Sequence, residues 1–193
     1  MKIFFIKPLL LLLTLLSISW HLHAQTPYAV SEAELTVSGT STLHNWTMTT
    51  QSAQGEAMIR LENRDLECIQ QLVVTVRSET LKSGKSGMDN NAYKALKTKK
   101  NPEISFKLKQ IKSIEKQADY LQVQATGILE VAGSAQPITL IAQAFPTTEA
   151  IRFTGEKTLS MTDFEVEPPS FMMGTIKTGN EITLHFDITF NAK

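Results

Sequence analysis

The sequence predicts an all-β domain of antiparallel strands with one short inserted helix. Three observations carry that expectation. Apolar and polar residues alternate with a period of two in nine stretches, turn-forming residues separate those stretches at short intervals, and no βαβ pattern of the kind a parallel sheet needs is present.

Residues 1–24 stand apart from any fold. Lys2 and Lys7 precede an apolar run at 9–18, and Ala24 closes a plausible cleavage site, the three parts of a secretory signal peptide. The run is shorter than the roughly 20 apolar residues that span a bilayer. No cysteine follows it to carry a lipid. The expectation is a cleaved leader at 1–24 and a single domain at 25–193, periplasmic or secreted and without a transmembrane segment after cleavage.

The weaker runs come first, at 33–37, 43–50 and 56–61, with Gly39 and Gly55 read as turns and a polar turn at 63–65. Leu72, Val74 and Val76 then alternate with Val73, Thr75 and Arg77. The one helical stretch is 88–97, where Met88, Ala92, Tyr93 and Leu96 fall at helical spacing behind Asp89 as N-cap, and it ends ahead of Pro102. Ile104, Phe106 and Leu108 alternate with Ser105, Lys107 and Lys109. Leu121, Val123, Ala125, Gly127, Leu129 and Val131 share a face that opposes Gln122, Gln124, Thr126 and Glu130, with only Ile128 breaking the polar set. Gly133 and Pro146 bound a run at 137–145, and another follows at 150–159. Gly179 and Asn180 read as a last turn before the clearest strand, in which Ile182, Leu184, Phe186, Ile188 and Phe190 alternate with Thr183, His185, Asp187 and Thr189. Such a sheet buries its apolar face by stacking on a second sheet or by curling into a barrel, and periodicity does not choose between them.

Composition narrows the function. Loss of the leader removes two of 19 basic residues and leaves 17 against 19 acidic, a formal charge of −2, so general nucleic-acid binding is not expected. Cys68 is the single cysteine, which excludes an internal disulfide, a thiolate metal cluster and a paired redox motif. With the apolar loop around Phe171, Met172 and Met173, it leaves a homodimer open. No cofactor is expected.

Six lysines, Lys82, Lys85, Lys94, Lys97, Lys99 and Lys100, fall within nineteen residues and are opposed only by Asp89. That is an anionic-ligand or membrane-surface patch, or a solvated face that keeps the protein soluble, and charge runs are usually the latter. The tripeptide at 84–86, GKS, lacks the earlier glycine of a phosphate loop, since position 79 is Glu79. His44, Asn45 and Trp46 would place an imidazole and an indole at a cavity mouth, or Trp46 would plug one end. Two histidines, His44 and His185, do not make a metal site. Asp163, Glu165 and Glu167 alternate along a short segment without an identifiable partner, and no nucleophile elbow is present. An enzyme is not expected.

Four segments, GTSTLHNW, MDNNAYKALKTKKNPEISF, GILEVAGSAQPITL and MTDFEVEPPSFMMGTIKTGNEITLHFDITF, resemble in order and spacing the YceI-like family of exported polyisoprenoid-binding proteins. The resemblance covers nearly all of 28–190. It implies a lipocalin-like, flattened antiparallel barrel of about eight strands with one short inserted helix, enclosing an apolar channel for an isoprenoid lipid such as a quinone or polyprenyl phosphate. It carries no catalytic residues.

A long flexible tail needs a continuous apolar tube. Phe106, Leu108, Leu121, Val123, Phe153, Leu184 and Phe186 are the candidate wall, positions that an ordinary packed core would use equally. His44, Trp46, Tyr93, Phe164, Phe171, Met172 and Met173 are the candidate mouth, methionine being compliant in shape. The leading expectation is a carrier or buffer for an isoprenoid lipid. The alternative is an interaction module that docks a protein or membrane component through the loop at 171–173.

Overall fold

A computed structural model describes residues 26–62, 64–171 and 174–193. These form ten strands: β1 (Thr26–Ser41), β2 (Trp46–Thr50), β3 (Ala53–Glu62), β4 (Asp65–Arg77), β5 (Glu103–Lys116), β6 (Leu121–Val131), β7 (Ser134–Pro146), β8 (Ala150–Ser160), β9 (Ser170–Phe171) and β10 (Ile176–Ala192). One α-helix, α1 (Ser86–Ala95), lies between β4 and β5. The expected leader lies outside the described residues.

Strand pairing settles what alternation left open. β1 pairs with β3 along one edge and β10 along the other, so β1, β3 to β8 and β10 close into an eight-stranded antiparallel barrel. β2 takes the upper part of the β1 edge whose lower part pairs with β3, from Leu35↔Thr50 to Gly39↔Trp46. β9 adds to the start of β10. The ring is unevenly stitched. β7 and β8 pair only at the base, from Ala142↔Gly155 to Pro146↔Ile151, and β4 and β5 only at the opposite end, from Val73↔Lys107 to Arg77↔Glu103.

The base is solid. Ile59, Ala144 and Ile151 are 0% exposed and Phe190 is 1% exposed, with Phe153 meeting Phe190 edge to face at 6.1 Å. Tyr28 joins this cluster, and burial pushes its hydroxyl pKa up. Closing one end follows from the long apolar runs of β10 and β6, whose alternate residues all turn inward.

Several expected turns are strand instead. Gly39, Gly55, Gly179 and Asn180 all lie within strands, because these glycines serve close contacts and not chain reversal. A side chain at Gly39 would collide with the Trp46 indole, one at Gly55 with the Val73 carbonyl, and one at Gly179 with Thr40 Oγ1. β4 begins at Asp65, inside the expected polar turn. A true tight turn joins β6 to β7 through Ala132 and Gly133, both at positive φ, as two-residue hairpins require. The first part of the run expected at 43–50 is a loop. Ser41 Oγ accepts from the Leu43 and His44 amides at 3.2 and 3.1 Å and bonds the His44 carbonyl at 2.7 Å, which tightens the chain before β2 starts.

The helix starts earlier than its apolar spacing suggested. Lys85 is the N-cap and offers no side-chain bond, so Asp89 is not the cap. It lies within the first turn, 8% exposed, and its carboxylate accepts from the Ser83 amide and hydroxyl at 2.8 and 2.6 Å. Gly84, at φ 78°, makes the reversal that brings Ser83 back over the helix start. Those two bonds hold the Asp89 pKa below the usual carboxylate range.

Candidate functional site

Above the base, the inward residues do not fill the ring. They leave a cavity of about 480 Å³, within the ~300–1,000 Å³ typical of small-molecule sites. Its roof comes from two connections. Helix α1 contributes Met88, Ala92 and Ala95, followed by Leu96, and the 3₁₀ turn Met161–Phe164 contributes Met161 and Phe164, followed by Val166. Met161, Phe164 and Val166 are themselves buried with Leu129 and Ala132, so this side of the roof is a packed cluster.

Three aromatic rings shape the lumen by lying on glycines. Phe106 covers Gly127, Phe186 covers Gly155 and Trp46 covers Gly39; all three aromatics line the cavity. A Cβ at Gly155 would stand 2.6 Å from Phe186 Cζ, closer than such atoms approach. Glycine therefore provides a recess in the wall into which the ring fits. The Trp46 indole is further fixed by Nε1–H donating to the Thr40 carbonyl at 3.0 Å.

Of the wall residues proposed from sequence, Phe106, Leu108, Val123, Phe153, Leu184 and Phe186 line the cavity. Leu121 does not: it is 7% exposed at the lower end of β6, opposite Ala144, where the barrel is packed solid. Of the mouth residues, His44, Trp46, Phe164 and Phe171 line the cavity, while Met172 and Met173 lie outside the described residues. Tyr93 turns away to its own segment. Its one hydroxyl proton is shared between the Glu79 and Leu81 carbonyls, 2.9 and 2.8 Å away, and the oxygen accepts from Lys82 Nζ at 2.7 Å. It braces the helix instead of touching the lumen.

Sequence reasoning passed over Leu43, Met161 and Val166 as site residues. Leu43 is 66% exposed and lines the rim beside His44. The alternation of Asp163, Glu165 and Glu167 carried the signal for the roof: these three are exposed, and the residues between them, Phe164 and Val166, turn inward.

Polar side chains are sparse on the lining. Among the described residues they are Ser41, His44, Thr50, Lys85, Asn91 and Thr178, with no carboxylate. His44 Nδ1 donates to the Asn45 carbonyl at 2.9 Å, which fixes its tautomer because a carbonyl only accepts. His185 lies on the outer face of β10, 3.4 Å from Glu156. Among the described residues no three His, Cys, Asp or Glu side chains converge to hold a metal, and no helix is long and apolar enough to cross a membrane.

A sequence profile described as the YceI-like domain matches residues 25–190. No curated protein matches the chain. Among solved structures, a polyisoprenoid binding domain from Saccharophagus degradans, implicated in plant cell wall breakdown, aligns over 88% of this chain and 100% of its own with a TM-score of 0.66 at 10% identity. BcnA of Burkholderia cenocepacia aligns over 81% and 95% with a TM-score of 0.65 at 12% identity. The YCEI protein of Campylobacter jejuni aligns over 72% and 81% with a TM-score of 0.57 at 20% identity. At such identities the likeness is one of fold.

Proposed function

The chain belongs to the YceI-like domain family, and from that premise we propose that it is an exported binding protein that sequesters or carries an isoprenoid-type lipid, a quinone or polyprenyl phosphate, with its tail inside the barrel. The observation that carries this reading is the cavity, closed below by Phe190, Ile59 and Ile151 and lined almost wholly by aliphatic and aromatic side chains. A blind apolar lumen offers a reacting group nothing to work with, but it removes a hydrocarbon tail from water. Micromolar affinity corresponds to about 8 kcal/mol. At ~25 cal/mol per Å², with ordering costs of about 4–15 kcal/mol, that requires burial of roughly 500–900 Å² of apolar surface. Several isoprene units and the wall they cover supply such an area. The Saccharophagus degradans domain that shares this fold is a polyisoprenoid binding domain, which supports the reading.

Export is supported by the charged start, apolar run and small-residue site at 1–24. The docking alternative would use Phe171 as an exposed anchor, whereas this ring is half-buried and borders the cavity. Native mass spectrometry of protein isolated without detergent tests the carrier role. The expected spectrum shows an apolar adduct released by organic solvent and identified as an isoprenoid. A clean mass of the bare chain, with no uptake of added isoprenoid, refutes it.

A further inference from the structure

This inference rests on the reading above that the cavity holds a lipid tail. We propose that the head group is anionic, a phosphate or carboxylate, and that Lys85 holds it at the rim. Among the described residues lining the cavity Lys85 is the one lysine or arginine, and no aspartate or glutamate accompanies it. Its ammonium makes no hydrogen bond or ion pair among the described residues. Two other lysines of this segment are committed elsewhere, Lys82 to the Tyr93 hydroxyl and Lys97 to the Glu165 carbonyl at 3.4 Å. The one acid within the lysine-rich stretch, Asp89, is buried and turned to Ser83.

The rim therefore presents a positive charge without a counter-charge beside an apolar lumen. An anion placed there by its own buried tail meets that charge at a boundary where water screens less than in bulk. Asn91, also on the lining, offers amide donors to the same head group. A neutral head gains no ion pair, and a cationic head is repelled. The cavity selects for the tail; Lys85 adds discrimination among heads.

The test uses the full chain, stripped of lipid, and two ligands with one tail, geranylgeranyl phosphate and geranylgeraniol. The phosphate is expected to bind about tenfold more tightly at low salt, and Lys85→Glu should abolish that preference. Exchange of Lys94, Lys97 and Lys100 for glutamine should leave the preference in place, because none of the three lines the cavity. Inorganic phosphate should not displace the bound ligand. Equal affinity for phosphate and alcohol overturns the inference and leaves the carrier role standing. A preference that survives Lys85→Glu, or vanishes in the triple glutamine variant, overturns the assignment to Lys85. Displacement by inorganic phosphate overturns the head-group reading in favour of a free-anion site. Binding of neither ligand sinks the carrier role and this inference with it.

Discussion

Phe186 on β10 and Gly155 on β8 are direct cross-strand partners, and the phenyl ring occupies the space that a side chain at position 155 would need. The same relation holds between Trp46 and Gly39 across β1 and β2, and Phe106 repeats it over Gly127, diagonal to it across β5 and β6. Each pair turns bulk that would otherwise cross the lumen into part of its wall.

Gly155→Ala should therefore act on stability and on binding together. The new Cβ would meet Phe186 Cζ at 2.6 Å and the Ile141 carbonyl oxygen at 2.7 Å. A ring can swing into the lumen, but the backbone oxygen cannot yield as easily. A loss of about 1–3 kcal/mol is expected from overpacking, with weaker uptake of isoprenoid. Thermal melts and ligand titration of the variant check both effects; an unchanged melt with unchanged uptake would show that the recess is not needed.

Depth in the barrel should sort the phenylalanines. Phe190, 1% exposed in the packed base, should cost about 3–5 kcal/mol when replaced by alanine. Phe186→Ala should cost less, because Phe186 is half-buried and already borders open space. Urea denaturation of the two variants compares them directly, and equal losses would contradict a hollow upper half.

A charge in the lumen should separate binding from folding. Leu184 lines the cavity and is half-buried, so Leu184→Arg should fold, with its guanidinium reaching toward the rim, and should lose tail binding. Val123, 2% exposed, has no such freedom, and Val123→Arg should unfold the barrel. Circular dichroism establishes folding in each case before uptake is measured. Undiminished uptake by a folded Leu184→Arg variant would remove that position from the wall.

Acid should weaken the segment that carries the roof helix. Bonds from Ser83 hold the Asp89 pKa below its unfolded value, and Arg152, paired bidentately at 2.7 and 2.5 Å, does the same for Asp187. Groups whose folded pKa is depressed stabilise the protein above their unfolded pKa, about 4 for aspartate. That contribution is lost as pH falls through the lower folded values. Asp89→Asn should lower stability at neutral pH and flatten the acid limb of the stability curve. A parallel offset at every pH would mean that the Asp89 charge does not matter.

The alternation that gave the strands also gave most of the lining, since an inward position in a closed ring either packs or borders the cavity. Ile182, Leu184 and Phe186 border it for that reason, and all were visible as one face of a two-residue period. Depth was not visible. Leu121 and Val123 share a face, yet only Val123 reaches the cavity, because the position of the solid base depends on side chains from distant strands. Glycine was the other blind spot. At Gly39 and Gly179 it looks in sequence like a turn, and only the ring or hydroxyl that arrives from a neighbouring strand reveals its use. Tyr93 was misplaced because helical spacing gives a face but not the neighbour that captures it, here the Glu79 and Leu81 carbonyls.

Two short seams of the barrel, β7–β8 and β4–β5, are bridged by no further strand among the described residues, whereas β2 takes up the β1 edge left free above the short β1–β3 pairing. Above Ala142 and Gly155, β7 and β8 share no ladder, and below Val73 and Lys107 the same is true of β4 and β5. Each seam resembles a zipper half undone, and the two are open from opposite ends. Spreading the wall along either open length breaks no hydrogen bond between the strands that part. For the carrier role proposed above, such a wall is expected to give around tails of different girth, so that uptake should fall only gradually as the tail thickens.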